Sequence, residues 1–205
     1  MTTAIPLRAL ALVCTLTPTP GKSSSQLMAE QVLDALGKHG VVGEHLRLVD
    51  LDIKPGVQID MGDGDAWPSV RERILAADIV LVSTPTWVGH HSSVAQRALE
   101  RLDAEISETD DQGRPLMYGK VAIAAVVGNE DGAHKISADL FQSLDDIGFT
   151  IPAGGVTYWN GEAMSGVDYQ DLDDVPEQVA STTATLASNA AHLARLLKSN
   201  EYPPS

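Results

Sequence analysis

Asp78-Ile79-Val80-Leu81-Val82-Ser83-Thr84-Pro85-Thr86-Trp87-Val88-Gly89-His90-His91-Ser92-Ser93 reads as a buried strand that runs into a loop and then a helix. The aliphatic run 79–82 has no polar alternation, as expected of a central strand covered on both faces. Pro85 and Gly89 shape the following turn, and Ser92 and Ser93 are residues that open helices well. A loop of this kind can press backbone amides and one flat side chain, Trp87, against a planar, polar ligand. Trp87 as an ordinary core residue, with Pro85 and Gly89 only making a turn, is the plainer alternative.

Outward from this stretch the chain repeats one pattern. Residues 7–16 (LRALALVCTL) form a second continuous apolar strand, broken by a loop dense in Pro, Gly and hydroxyl residues. Leu27, Val32, Leu33 and Leu36 recur at helical spacing over 26–38, and 44–49 alternates as a strand. A Gly-, Pro- and Asp-rich loop over 52–68 precedes a short helix at 70–77, the strand at 79–83 and a helix at 93–102. After a polar, turn-rich segment over 107–119, residues 121–127 (VAIAAVV) are the most strand-like run in the chain. A helix follows at 133–147, stopped by Gly148, then a strand at 151–159, a loop over 160–174 and a last helix at 176–198. The tail 202–205 reads as frayed. Buried strands alternating with helices predict an α/β fold, a three-layer sandwich around a five-stranded parallel sheet. Right-handed crossovers make the order 2-1-3-4-5 the simplest, with its switch point between strands 1 and 3. One domain over 1–205, with a core of about 7–198, is expected.

Composition narrows the function classes. The 205 residues are 43% hydrophobic but only 4% aromatic, so aliphatic side chains must fill the core. A formal charge of −14 disfavours nucleic acid and anionic membrane surfaces, which call for clustered Lys and Arg. No apolar run reaches the roughly 18 residues of a bilayer span, so no membrane insertion is expected. The N-terminus does not read as a secretory signal. A single cysteine, Cys14, excludes an internal disulfide and a Cys-based zinc site, and a cytoplasmic setting is expected.

In such sheets ligands bind outside the carboxyl ends of the strands, where the loops after strands 1, 3 and 4 meet. The first loop carries Thr15, Thr17, Thr19, Ser23, Ser24 and Ser25 just before a helix. Free amides at a helix start, with hydroxyls nearby, suit a phosphate, and Lys22 could add a cation. Helix capping alone is the plainer alternative for these serines. Neither G-x-x-x-x-G-K-[ST] nor G-x-G-x-x-G is present, which argues against nucleotide-hydrolysing and dinucleotide-binding domains. The third loop, Gly128-Asn129-Glu130-Asp131-Gly132, offers donors and acceptors for a heterocycle edge, or is a simple acidic turn. Adjacent His90 and His91, with His134, lack metal-ligand spacing, and no metal is expected. Asp60, Asp63 and Asp65 read as a solvated turn, and Cys14 as a buried small hydrophobe.

The chain resembles the flavodoxin-like fold and, within it, the NAD(P)H-dependent FMN reductase and quinone oxidoreductase superfamily. The resemblance is carried by Thr84-Pro85-Thr86-Trp87-Val88-Gly89, by Arg97-Ala98-Leu99-Glu100-Arg101-Leu102-Asp103 and by Gly119-Lys120-Val121, within a span of about 7–160. It implies FMN as cofactor and NAD(P)H as electron donor, with free flavin, a quinone or a related small molecule as acceptor. It further implies that Thr15, Thr17, Ser23, Ser24, Ser25 and Gln26 hold the phosphate, and that Pro85, Thr86, Trp87, Val88 and Gly89 lie along the flavin ring. Gly128, Asn129, Glu130, Asp131 and Gly132 would meet its pyrimidine side and ribityl chain. The first loop departs from the pattern, with Thr15-Leu16-Thr17 where many relatives have Ser-x-Arg. Chemistry carried by the flavin needs no catalytic side chain, and none is assigned. The resemblance also implies a homodimer or homotetramer, with Tyr158, Trp159 and Met164 as candidate walls of an acceptor pocket. A flavodoxin-like one-electron carrier is the alternative, which the acidic charge suits. A binding module that has lost the flavin is a third.

Overall fold

The computed structural model describes residues 6–204. In chain order its main elements are β1 (Leu7–Val13), α1 (Ser24–Gly37), β2 (Val41–Arg47), α2 (Trp67–Ala76), β3 (Ile79–Trp87), β4 (His90–His91), α3 (Ser93–Leu102), β5 (Val121–Gly128), α4 (Ala133–Ile147), β6 (Val156–Asn160) and α5 (Glu177–Ser199). Five strands are parallel in the order β2-β1-β3-β5-β6, and β4 folds back antiparallel on the end of β3. With β4 set aside, this is the flavodoxin-like order expected.

Strand side chains point alternately to the two faces, so a sheet buried on both sides needs two cores. Leu10, Leu12, Val80, Val82, Ala122, Ala124 and Val126 pack with apolar residues of α2, α3 and α4. Ala9, Ala11, Val13, Ile79, Leu81, Ile123, Ala125 and Val127 pack with α1 and α5 on the other face. Hydroxyls and glycine set the helix limits. Ser92 caps α3 by accepting the Ala95 N–H, and Gly148, at φ 113°, ends α4.

The structure corrects several boundaries. The first strand stops at Val13, leaving 14–16 to the loop. The second lies at Val41–Arg47 and is followed by a single 3₁₀ turn over Leu48–Asp50. The third continues through Pro85 to Trp87, so the proposed ligand loop is largely a β-hairpin. The last strand begins only at Val156, because Pro152, Gly154 and Gly155 turn the chain before it. The tail is tied down rather than frayed at Glu201 and Tyr202: Glu201 pairs with Arg114 at 2.5 Å, and the Tyr202 ring packs 5.1 Å from that of Tyr118.

Three charged side chains of the α2–α3 side, Arg101, Asp65 and Glu105, are fully buried. Arg101 pairs with Asp65 at 2.7 Å and donates to the carbonyls of Lys54, Gln58 and Ile59, so the 52–66 loop is wrapped around one guanidinium. Glu105 is held by Arg71 at 2.5 Å. On the opposite end of the sheet from the switch-point loops, Lys120 donates to Leu75 O and Ala77 O, and burial pushes its pKa down to about 8.

Candidate functional site

A cavity of about 230 Å³ opens at the carboxyl ends of β1, β3 and β5. Its lining brings together Thr15, Thr17, Ser23, Ser24 and Ser25 from the first loop, Pro85, Thr86 and Trp87 from the second, and Gly128 and Asn129 from the third. Three segments far apart in sequence therefore meet where the strand order reverses.

In the first loop, Ser23 is the N-cap of α1, its hydroxyl accepting the Gln26 N–H at 3.2 Å. The Ser24 and Ser25 N–H groups, in the first turn, have no acceptor among the described residues, as at any helix start. The Ser24 hydroxyl accepts the Gln170 N–H, and the Thr15 hydroxyl accepts that of Thr17. Lys22 also lines the cavity and makes no ion pair among the described residues. Gln26 faces elsewhere: its amide accepts from Arg47 and donates to Glu30, along a shallow neighbouring depression.

The second loop is a two-residue hairpin turn, with Val88 at φ 52° and Gly89 at φ 70°. Positive φ at both positions matches the right-handed twist of the flanking strands, at a cost for a β-branched residue such as Val88. The Val88 side chain is exposed and does not line the cavity. Trp87 is 54% exposed, with part of its ring against the cavity. Ser92 fixes the hairpin to the sheet, donating to Cys14 O at 2.6 Å while its N–H reaches the Thr84 hydroxyl.

Glu130, Asp131 and Gly132 stand behind the hairpin rather than in the cavity. Glu130 accepts the Val88 N–H at 2.8 Å, and Asp131 accepts the Gly132 N–H. A Cβ on Gly132 would sit 3.0 Å from the Gly89 Cα, and one on Gly128 would sit 2.7 Å from the Thr86 Cβ. These glycines let the second and third loops close on each other.

A fourth segment completes the wall: Trp159, Asp168, Tyr169 and Gln170. Tyr169 donates to Gln31 at 2.6 Å, Asp168 accepts from Asn129 at 3.1 Å, and the Trp159 and Tyr169 ring centroids lie 5.5 Å apart. Burial, partly offset by the Gln31 hydrogen bond, pushes the Tyr169 hydroxyl above its ordinary pKa, so it stays a neutral donor. Asp168, Tyr169 and Gln170 were not among the expected site residues, and the only sequence signal was a loop leaving the last strand at the same sheet end. Of the three candidate acceptor walls, Trp159 lines this cavity. Tyr158 points to the other face, bonded to His134 at 3.1 Å, and Met164 is fully in solvent.

Among the described residues four buried polar atoms have no partner, Trp67 Nε1, Thr86 Oγ1, His91 Nδ1 and Gln170 Oε1, and the Thr86 and Gln170 atoms belong to residues that line the cavity. Such atoms are costly unless a ligand or water meets them. Open amides, hydroxyls and Lys22 at one end suit a phosphate, and Pro85, Trp87 and Trp159 supply flat walls for a ring system. The donor set fits a phosphorylated flavin.

Residues 7–163 match the NADPH-dependent FMN reductase family. The chain belongs to that family. The 8-demethyl-8-aminoriboflavin-5'-phosphate synthase of Streptomyces davaonensis is 30% identical over 206 residues, covering 96% of this chain and 80% of that protein. The crystal structure of RosB with the bound intermediate 8-demethyl-8-formylriboflavin-5'-phosphate superposes with a TM-score of 0.86 at 30% identity, covering 96% of this chain and 82% of that one. The divalent metal cation transporter MntH of Mycobacterium bovis is 35% identical over 199 residues, 94% of this chain but 29% of its own length. The chain thus spans under a third of that relative, and among the described residues no helix is long and apolar enough to cross a membrane. The family's description and the names of the 30%-identical matches all refer to flavin phosphates, FMN or a modified riboflavin 5'-phosphate.

Proposed function

We propose that the protein holds FMN in the switch-point cavity and takes hydride from NAD(P)H, passing the electrons to free flavin, a quinone or a related small acceptor. The observation that carries this reading is the convergence of open α1 amides, Lys22 and the Thr15, Thr17 and Ser24 hydroxyls at one end of a cavity walled by Pro85, Trp87 and Trp159. When bound, the flavin supplies the redox chemistry; the protein supplies position and electrostatics. Ser24, Ser25 and Lys22 would hold the phosphate, and Trp87 would flank the ring. Gly128, Asn129 and the orphan Thr86 and Gln170 atoms would meet its polar groups. A second copy of the chain completing the acceptor pocket belongs to the same proposal.

A second reading has specific support from the 30%-identical synthase and RosB matches, whose names specify modified riboflavin 5'-phosphates. Under it a flavin phosphate is the substrate that is altered at its 8-position, rather than a retained cofactor. One experiment separates the readings. The protein is loaded with FMN and mixed anaerobically with NADPH or NADH, and in a second arm incubated with dioxygen and an amine donor, because replacing an 8-methyl by a formyl or amino group is an oxidation; the flavin is then extracted and weighed by mass spectrometry. Bleaching at 450 nm with an unchanged flavin mass supports the reductase, and a changed mass supports the second reading. Failure to bind FMN defeats both. Trp87→Ala is expected to weaken FMN binding about tenfold, the order of a lost aromatic stack; an unchanged affinity and flavin spectrum would remove Trp87 from the ring's surroundings.

A further inference from the structure

The loop between β1 and α1 has neither a glycine fingerprint nor an arginine of its own, yet it is braced from outside by two charges at the end of β2. Arg47, the last residue of β2, donates through Nε to Gln26 Oε1 at 2.8 Å and through Nη1 to Gly21 O at 2.8 Å and Thr17 O at 3.3 Å. Gln26 passes the link on to Glu30 at 2.8 Å. Three residues later, Asp50 accepts both the Thr19 N–H at 2.8 Å and the Thr19 hydroxyl at 2.5 Å. Those two hydrogen bonds hold the Asp50 carboxyl below its ordinary pKa, so it is charged at neutral pH.

The consequence for the cavity follows from amide geometry. The Gly21–Lys22 peptide is trans, so its C=O and N–H point in opposite directions. With Gly21 O held by Arg47, the Lys22 N–H points away from the guanidinium, and Lys22 and Ser23 line both the cavity and the depression beside Arg47. Neither the Lys22 nor the Ser23 N–H has an acceptor among the described residues. Together with Ser24 and Ser25 they make a row of four consecutive open amides, the arrangement that binds anions.

We propose that Arg47 and Asp50 are positioning residues that select phosphorylated over unphosphorylated flavin by holding the 17–23 loop with its amides open to an anion. Neither touches the ligand. Arg47 acts as a fork across two carbonyls and an amide, a role lysine fills only in part because its ammonium cannot span three acceptors. The proposal rests on the FMN reading above and deepens it.

The test is a pair of fluorescence titrations, FMN and riboflavin, on the full chain and on Arg47→Met, Arg47→Lys and Asp50→Ala, with inorganic phosphate as a competitor and thermal melts alongside. The full chain is expected to prefer FMN. Arg47→Met should lose about tenfold or more in FMN affinity, on the scale of lost charge-assisted hydrogen bonds, while riboflavin changes less than about twofold. Arg47→Lys should recover part of the preference, and Asp50→Ala should lose it with Arg47 intact. Phosphate should compete with FMN more weakly in both Arg47→Met and Asp50→Ala. A general loss of structure would lower both flavins by the same factor; that result overturns the proposal, as does an unchanged ratio. If Arg47→Met does not fold, the ratio in Arg47→Lys and Asp50→Ala decides the matter by the same criteria. A full chain with no preference for FMN over riboflavin instead overturns the phosphate reading itself, and the bracket with it.

Discussion

Arg101→Met is expected to lower the unfolding free energy by about 3–5 kcal/mol, a fall in Tm of roughly 10 °C for a chain of this size. The side chain has no solvent exposure and lies 5.5 Å from the Trp67 ring centroid. Removing it strands the Asp65 carboxylate, which is equally shielded, together with the carbonyls of Lys54, Gln58 and Ile59. Methionine matches much of the volume, so the loss would report the uncompensated charge and carbonyls rather than a cavity. The double variant Arg101→Met/Asp65→Asn should be more stable than Arg101→Met alone, since the buried charge is gone while an amide oxygen still accepts N–H groups of the 54–67 loop. Equal melting of the two would show that Asp65 finds water or another partner once the guanidinium is gone.

The same pair sets a pH dependence. Burial pushes the Asp65 carboxyl up, but the Met61 N–H, the Arg101 guanidinium, and the Trp67 and Lys54 N–H groups together outweigh it, and its pKa falls to about 2. An unfolded Asp titrates near 3.9. The stabilisation is therefore fully present above about pH 4 and is lost as pH falls toward 2, because the unfolded chain takes up the proton first. Acid unfolding of Asp65→Asn should lack this component, leaving a shallower fall between pH 4 and 2 than in the unaltered chain.

Arg101 also marks where sequence reasoning stops. On an exposed-looking helix a charged residue reads as part of a solvated face, and its burial comes from the irregular 52–66 loop folding over it. By contrast, 121–127 and 79–82 need little context: short aliphatic runs rich in Val and Ile, or bounded by turns, read as buried strands, and α4 ends where Gly148 allows a left-handed residue. The hairpin was harder to see because Pro85 normally ends a strand. Here β1 has already stopped, its last pairing with β3 being Val13 with Ser83, so on that side Pro85 has no ladder bond to lose, while on the other it pairs with Val127. The three candidate loops were legible because each follows a strand whose carboxyl end the topology fixes. The division of labour within them was not. Whether a residue such as Glu130 faces a ligand or holds a neighbouring turn depends on hairpin geometry, and Asp168, Tyr169 and Gln170 belong to no local pattern at all.

The fit of Gly128 against Thr86 is exposed to a single substitution. In Gly128→Ala the new methyl would arrive 2.7 Å from the Thr86 Cβ and 3.0 Å from its hydroxyl, distances that require movement. The clash is with a branch point next to backbone, so no rotamer change at Thr86 relieves it; β3 and the hairpin must shift away from β5. That shift would strain the Val88–Glu130 hydrogen bond, which joins the two loops, and widen the slot between Pro85–Trp87 and Gly128–Asn129. Overpacking of this kind costs about 1–3 kcal/mol of stability. Ligand binding should suffer more in proportion, by roughly tenfold to a hundredfold for FMN, because the slot's width is set by this contact. Thr86→Ser, which keeps the Cβ, should not rescue Gly128→Ala, whereas Thr86→Gly should, and the coupling between the two positions isolates the steric contact from either residue's own effect. Unaltered FMN affinity in Gly128→Ala, with an ordinary melting curve, would mean that the hairpin moves freely and that the close approach of the two loops does not define the site.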